Sequence, residues 1–151
     1  MTGKKHKSSC NCTALRKATR RVSQLYDAAL EPCGLRTTQR AILSQIARTG
    51  TPPLGELAEA LVMDRGALTH NLKPLERDGL VKIEIDPQDR RNRLVALTAS
   101  GRAKLAESEA LWQRAQQGFE RAFGAAKSDS LRKALEFLVS DGFATAFGGR
   151  S

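Results

Sequence analysis

Along most of this chain apolar residues recur at steps of three and four; in one short stretch they alternate instead. From Cys12 to Leu30, residues Leu15, Ala18, Val22, Leu25 and Ala29 form one stripe, which predicts an amphipathic helix of roughly 30 Å. Pro32 and Gly34 stop it. Thr37 offers a cap for a second helix that reaches Thr49 and turns Ile42, Leu43 and Ile46 inward before Gly50. Pro53 suits the first turn of a short third helix, with Leu54, Leu57, Ala58 and Leu61 on one face. After a turn of three residues Asp64 caps a fourth, whose buried stripe is Leu68, Leu72 and Leu75 and whose end is Gly79.

The period then changes. Val81, Ile83 and Ile85 alternate with Lys82 and Glu84, and Leu94 to Leu97 return as a partner strand. The hairpin tip between them reads Asp86-Pro-Gln-Asp-Arg-Arg-Asn-Arg93. Thr98 opens a last helical section with Leu105, Leu111, Trp112, Ala115, Phe119 and Phe123, broken near Gly124 to Ser128. A final helix carries Leu131, Leu135, Leu138, Phe143 and Phe147.

The order predicts a mainly α chain with a small β-hairpin wing: a winged helix-turn-helix head on a helical dimerisation base. Residues 1–10, with Lys4, Lys5, His6 and Lys7, lack periodicity and read as a flexible basic tail. Residues 11–151 read as one domain, in which 37–98 form the winged unit and 12–36 and 99–147 the dimerisation helices. The long flanking helices offer more apolar surface than one chain covers, which favours an intertwined homodimer.

Composition narrows the function. A formal charge of +9 and a pI near 10.0 attract polyanions, a property that fits DNA, RNA or an acidic membrane. No apolar run approaches a membrane span, and the first residues lack the apolar middle of a secretory signal, so a cytoplasmic protein is expected. There is no Walker-type glycine loop, nucleophile elbow or helical HExxH pair, so no enzyme and no cofactor is expected.

A helix that enters a major groove needs small or polar residues on its outer face. Opposite the leucine stripe of the fourth helix stand Gly66, His70, Lys73 and Arg77, flanked by Arg65 and Thr69, and all of these but Arg77 are candidate contacts. These five are assigned to double-stranded DNA, with Gly66 allowing close backbone approach and the cations reaching base edges or phosphates. In the wing, Arg90, Arg91 and Arg93 suit the narrow minor groove of A·T tracts, and Asp89 is expected to brace one of them. Pro74 lies within the helix, removes one donor and is expected to bend it, leaving the carbonyl of His70 in need of a partner. A constitutive architectural or RNA-binding winged-helix protein without an effector is the alternative reading.

With these residues placed, the chain resembles the MarR family of dimeric transcription regulators, from about Cys12 to Phe147. The resemblance rests on Leu54-Gly-Glu-Leu-Ala-Glu-Ala-Leu61, on Leu75-Glu-Arg-Asp-Gly-Leu-Val81, and on Asp86 to Leu97 followed by Thr98-Ala-Ser-Gly101. It implies a triangular homodimer whose heads meet adjacent major grooves of an inverted repeat. It further implies a repressor released by a small phenolic or other aromatic ligand, or by an oxidant.

Cys12, with Tyr26 fourteen residues on, is similar to the family's organic-hydroperoxide-sensing branch, where the matching cysteine is peroxidatic and the tyrosine bonds to it. Thr37 stands where that branch has a second tyrosine, and no C-terminal cysteine serves as resolving thiol. Cys10 or Cys33, from either subunit, would then trap the sulfenic acid. Cys12 and Cys33 read equally as small core residues, with Cys10 incidental. Cys10, Cys12 and His6 as a soft-metal site is a weak pattern, and no metal is assigned. For a ligand, Arg16, Arg20, Tyr26 and Trp112 are pocket candidates by helix position.

Overall fold

The computed structural model describes residues 9–149. The elements run α1 (Asn11–Leu30), a 3-10 turn (Glu31–Cys33), α2 (Thr37–Thr49), α3 (Leu54–Ala60), α4 (Arg65–Arg77), β1 (Val81–Ile85), β2 (Arg93–Leu97), α5 (Ala99–Phe123), α6 (Ala125–Leu138) and α7 (Asp141–Phe147). Most of the tail expected over residues 1–10 lies outside the described residues.

The core sits in the head. Leu30, Ile42, Leu43, Ile46, Leu57, Leu68, Leu72, Leu75 and Val95 are almost wholly removed from water, and every buried apolar residue described falls between Leu30 and Leu97. Each such side chain contributes about 1.5–3 kcal/mol from the loss of hydrated apolar surface. The stripes predicted for α2, α3 and α4 are therefore the three faces of one cluster, closed by Val81 and Leu97 of the hairpin.

β1 and β2 are antiparallel with Val81 opposite Leu97, Ile83 opposite Val95 and Ile85 opposite Arg93. Ile85, expected on the inward face, is exposed, because at that register the strands have run past the helices into the wing. The segment before α3 adds a third partner: Pro53 bridges Leu94, and the Val95 N–H donates to the Pro52 carbonyl at 3.0 Å. Pro53 is accordingly the residue before α3 and not its first turn.

Two more sequence expectations are corrected. Thr37 does not cap α2; it is the first helical residue, its N–H donating to Asp27 Oδ1 at 2.7 Å, and the Arg36 N–H is satisfied by Gln39 Oε1 at 2.9 Å. Phe143 and Phe147 belong to a separate helix, because Ser140 caps it by accepting from the Phe143 N–H at 3.2 Å and donates to the Phe137 carbonyl at 2.6 Å.

The head joins α5 through a close backbone contact. Thr98 Oγ1 accepts from the Gly101 N–H at 3.0 Å and donates to the Gly79 carbonyl, while the Thr98 N–H donates to the Leu80 carbonyl. A Cβ on Gly101 would lie 2.0 Å from the Leu80 carbonyl oxygen, so only glycine allows this approach. Gly79, at φ +73°, provides the left-handed turn that ends the α4 segment there.

In contrast, α5, α6 and α7 bury no large apolar side chain. Phe123, Leu131, Leu135, Phe137, Val139 and Phe147 are exposed, as are Leu15 and Leu25 of the α1 stripe.

Candidate nucleic-acid interface

Asp64 starts α4 as expected, its Oδ1 accepting from the Ala67 N–H at 2.7 Å. Four residues, 61–64, part the two helices, one more than the three read from the sequence; Val62 makes the turn at φ +53°. With Leu68, Leu72 and Leu75 fixed inward, the 3.6-residue period turns Arg65, Gly66, Thr69, His70 and Lys73 to solvent, and all five are exposed. Helix α4 runs unbroken through Pro74 to Arg77.

Among the described residues the side chains of Arg65, His70, Lys73 and Arg90 engage in no hydrogen bond or ion pair. Their charge or donors face water and are open to an external acceptor. The Arg65 guanidinium lies against the start of α3, where a Cβ on Gly55 would come within 2.6 Å of its Nη2. Gly66 lies beside the cap, with room for no more than a tight Cβ at 3.3 Å from Asp64 Oδ1. Between α4 and β1, Thr69, Lys73, Glu76, Arg77 and Ile83 line an open groove of about 400 Å³.

The wing tip is ordered by its own acids. Asp86 Oδ1 accepts from the Gln88 N–H at 2.8 Å, and Asp89 Oδ1 accepts from the Arg91 N–H at 3.1 Å and Arg91 Nε at 3.2 Å. The Arg91 guanidinium, followed by its backbone N–H, holds the Asp89 carboxyl below the usual carboxylate range. Arg93 Nη1 turns back to the Arg90 carbonyl at 3.1 Å. Of the three wing arginines, Arg90 alone projects without a partner among the described residues.

The thiols separate into two environments. Cys10, read as part of the tail, caps α1: its Sγ accepts from the Thr13 N–H at 3.4 Å, and hydrogen bonding from Thr13, side chain first and then backbone, lowers its pKa. Cys12 is exposed in the first turn, so it is no core residue. Cys33 is buried and donates to the Leu30 carbonyl at 3.1 Å, at the far end of α1, so it cannot trap oxidised Cys12 of its own chain.

Fourteen helical residues also set Tyr26 about 21 Å along the axis from Cys12. A bond between them within one chain is thereby excluded. The Tyr26 hydroxyl donates instead to Gln116 Oε1 at 2.7 Å, and burial, followed by the charge of Glu120, raises its pKa. Among the described residues no group of three His, Cys, Asp or Glu is placed to hold a metal; His6 lies outside them.

Of the pocket candidates, Tyr26 lines an apolar groove of about 440 Å³ between α1 and α5, with Val22, Leu25, Ala115, Phe119 and Phe123 among its walls. Trp112 packs on the head core instead, and Arg16 and Arg20 are exposed. Sequence reasoning missed Arg40, which is buried on α2 and paired with α5. Its phase, three residues before the inward Leu43, was the available signal.

A helix pair joined by a tight turn, a second helix with a polar outer face and a hairpin behind it define a winged helix-turn-helix protein. The sequence pattern of the MarR family matches residues 35–92. The transcriptional activatory protein BadR of Rhodopseudomonas palustris is 42% identical over 77 residues, spanning 49% of this chain and 44% of BadR, less than half that relative's length. The transcriptional regulator MosR of M. tuberculosis, solved in complex with DNA, matches at 34% identity and a TM-score of 0.81 over 90% of this chain and 98% of its own. A mutant MarR of E. coli complexed with operator DNA matches at 25% identity and 0.76 over 85% and 93%. The chain belongs to the MarR family, and its fold is that of transcriptional regulators. No described helix is long and apolar enough to cross a membrane.

Proposed function

We propose that two copies of this chain form a repressor that binds an inverted repeat in double-stranded DNA, with Arg65, Gly66, Thr69, His70 and Lys73 in the major groove and Arg90 in the adjacent minor groove. The observation that carries this reading is a closed head on which the outward side chains of Arg65, Lys73 and Arg90 have no partners among the described residues, set on a base whose apolar face is uncovered. The cations suit phosphates and base edges, and the uncovered base suits a second copy. The DNA complexes of MosR and MarR support it. BadR is named an activator; repression follows where the operator overlaps the promoter.

Arg91 and Arg93 shape the wing tip more than they read DNA, since their guanidinium groups are engaged within it. The test is selection of duplexes from a random library followed by anisotropy titration across salt. Affinity for the selected repeat should exceed that for random duplex at least about a thousandfold and fall steeply with salt. Equal affinity for both at physiological salt refutes the reading. Arg90→Ala should weaken binding and reduce the salt slope by about one.

Release is proposed to follow oxidation at the start of α1. A thiolate of Cys12 or Cys10 attacks the O–O bond of a hydroperoxide, giving a sulfenic acid and releasing the alcohol; the other thiol then displaces water to form the disulfide. Both thiols are exposed and two residues apart, and Cys10 carries the helix cap that a disulfide would remove. Cys12→Ser should keep DNA affinity and lose the peroxide response; continued release from that variant refutes the thiol step. A small aromatic effector, the other route to release, would occupy the groove at Tyr26, and a titration of phenolic acids against the DNA complex tests it.

A further inference from the structure

A buried cation joins α2 of the head to α5 of the base, and DNA contact makes no use of it. Arg40 is 9% exposed. Its Nε donates to Ser108 Oγ at 3.0 Å, its Nη2 meets Glu109 Oε2 at 2.7 Å, and its Cζ stands 4.6 Å from the centre of the Trp112 ring. These partners are themselves oriented: Ser108 Oγ donates to the Leu105 carbonyl at 2.6 Å, and Glu109 Oε1 accepts from Gln113 Nε2 at 3.1 Å.

Apolar contact between two helices is non-directional and tolerates sliding. A planar guanidinium held edge-on by a hydroxyl and a carboxylate and face-on by an indole does not, because a small rotation breaks all three contacts together. Glu109 is half-exposed, so the pair adds little to stability compared with what it adds to geometry. Helix α2 also packs on α4. The angle between α2 and α5 is therefore the angle at which the recognition face leaves the base.

We propose that Arg40 is a positioning residue which fixes the head on the helical base and so selects the half-site spacing that the paired heads accept. This rests on the DNA-binding reading above. The test uses Arg40→Lys and Glu109→Gln in the full chain. Each is titrated on the repeat selected by the wild type, on repeats with one base pair added or removed, and on a single half-site. Emission from Trp112, the sole tryptophan, and thermal unfolding are followed alongside.

The expected result is an unchanged single-half-site affinity, a loss of about tenfold on the best repeat and a flattened preference among spacings. Trp112 emission should shift at temperatures where both variants remain folded. An unchanged spacing profile, or an equal fall on every duplex including the half-site, overturns the proposal. If the wild type itself prefers no repeat, the DNA-binding reading fails and this one falls with it.

Discussion

The head and the base are both made of amphipathic helices, yet one closes its core within the chain and the other does not. In the head, leucine stripes from α2, α3 and α4 converge with the hairpin, and nothing large and apolar among the core positions is left wet. In the base, α6 and α7 lie outside that convergence, and Phe137, Val139 and Phe147 remain 57%, 63% and 80% exposed. An amphipathic period shows that a face wants covering, but not whether the same chain supplies the cover. Here the head covers its own apolar faces and the base leaves them exposed.

The sharpest way to break this contrast is at the seam. Gly101→Val drives a side chain into the Leu80 backbone and should cost more than about 4 kcal/mol in thermal or urea unfolding, since neither backbone segment can yield. A loss under about 1 kcal/mol would mean that the head and α5 are not held in contact.

Paired substitutions sharpen it next. Leu72→Ala should cost about 2–5 kcal/mol whatever the protein concentration. Leu135→Asp should leave the head intact but weaken association by about 2 kcal/mol, read as a shift in the sedimentation isotherm. If both variants unfold with the same concentration dependence, the two regions do not differ as argued.

Smaller effects follow at the helix starts. Asp64→Ala should remove about 1 kcal/mol from the head through loss of the Ala67 N–H acceptor, measured by urea unfolding. At α1, the lowered pKa of Cys10 means more thiolate at a given pH than in an unfolded peptide. Its alkylation by iodoacetamide should therefore reach half-maximal rate at a lower pH in the protein than in urea, and coincident profiles would contradict the cap.

Much of this was legible in the sequence. Asp64 and Thr98 declare their helices because a short acceptor precedes an apolar run and its side chain has one local use. The same logic, applied to Ser140, would have divided the last helix, but the spacing from Leu131 to Phe147 is nearly in phase across it and hides the break. Arg40 was hidden for a different reason. Its phase puts it on the inward face of α2, but its partners lie 68 and 69 residues away, and phase alone does not tell that a guanidinium there is satisfied. The cap at Cys10 was missed because sulfur is a weak acceptor and the residues before it are polar and aperiodic. The wing's cations were legible as a group; that Arg91 and Arg93 are tied down while Arg90 is not depends on the tip's own hydrogen bonds.

The bare contact of Gly101 with Leu80 and the Arg40 clamp at Ser108 seat the first turns of the longest helix on the head. Its 25 residues extend about 37 Å, so a tilt of head and helix together by about 5° moves the far end by roughly 3 Å. Displacements at the far end of that rod thus have a stiff mechanical route to the exposed face of α4, and a bulkier residue at position 101 would unseat it.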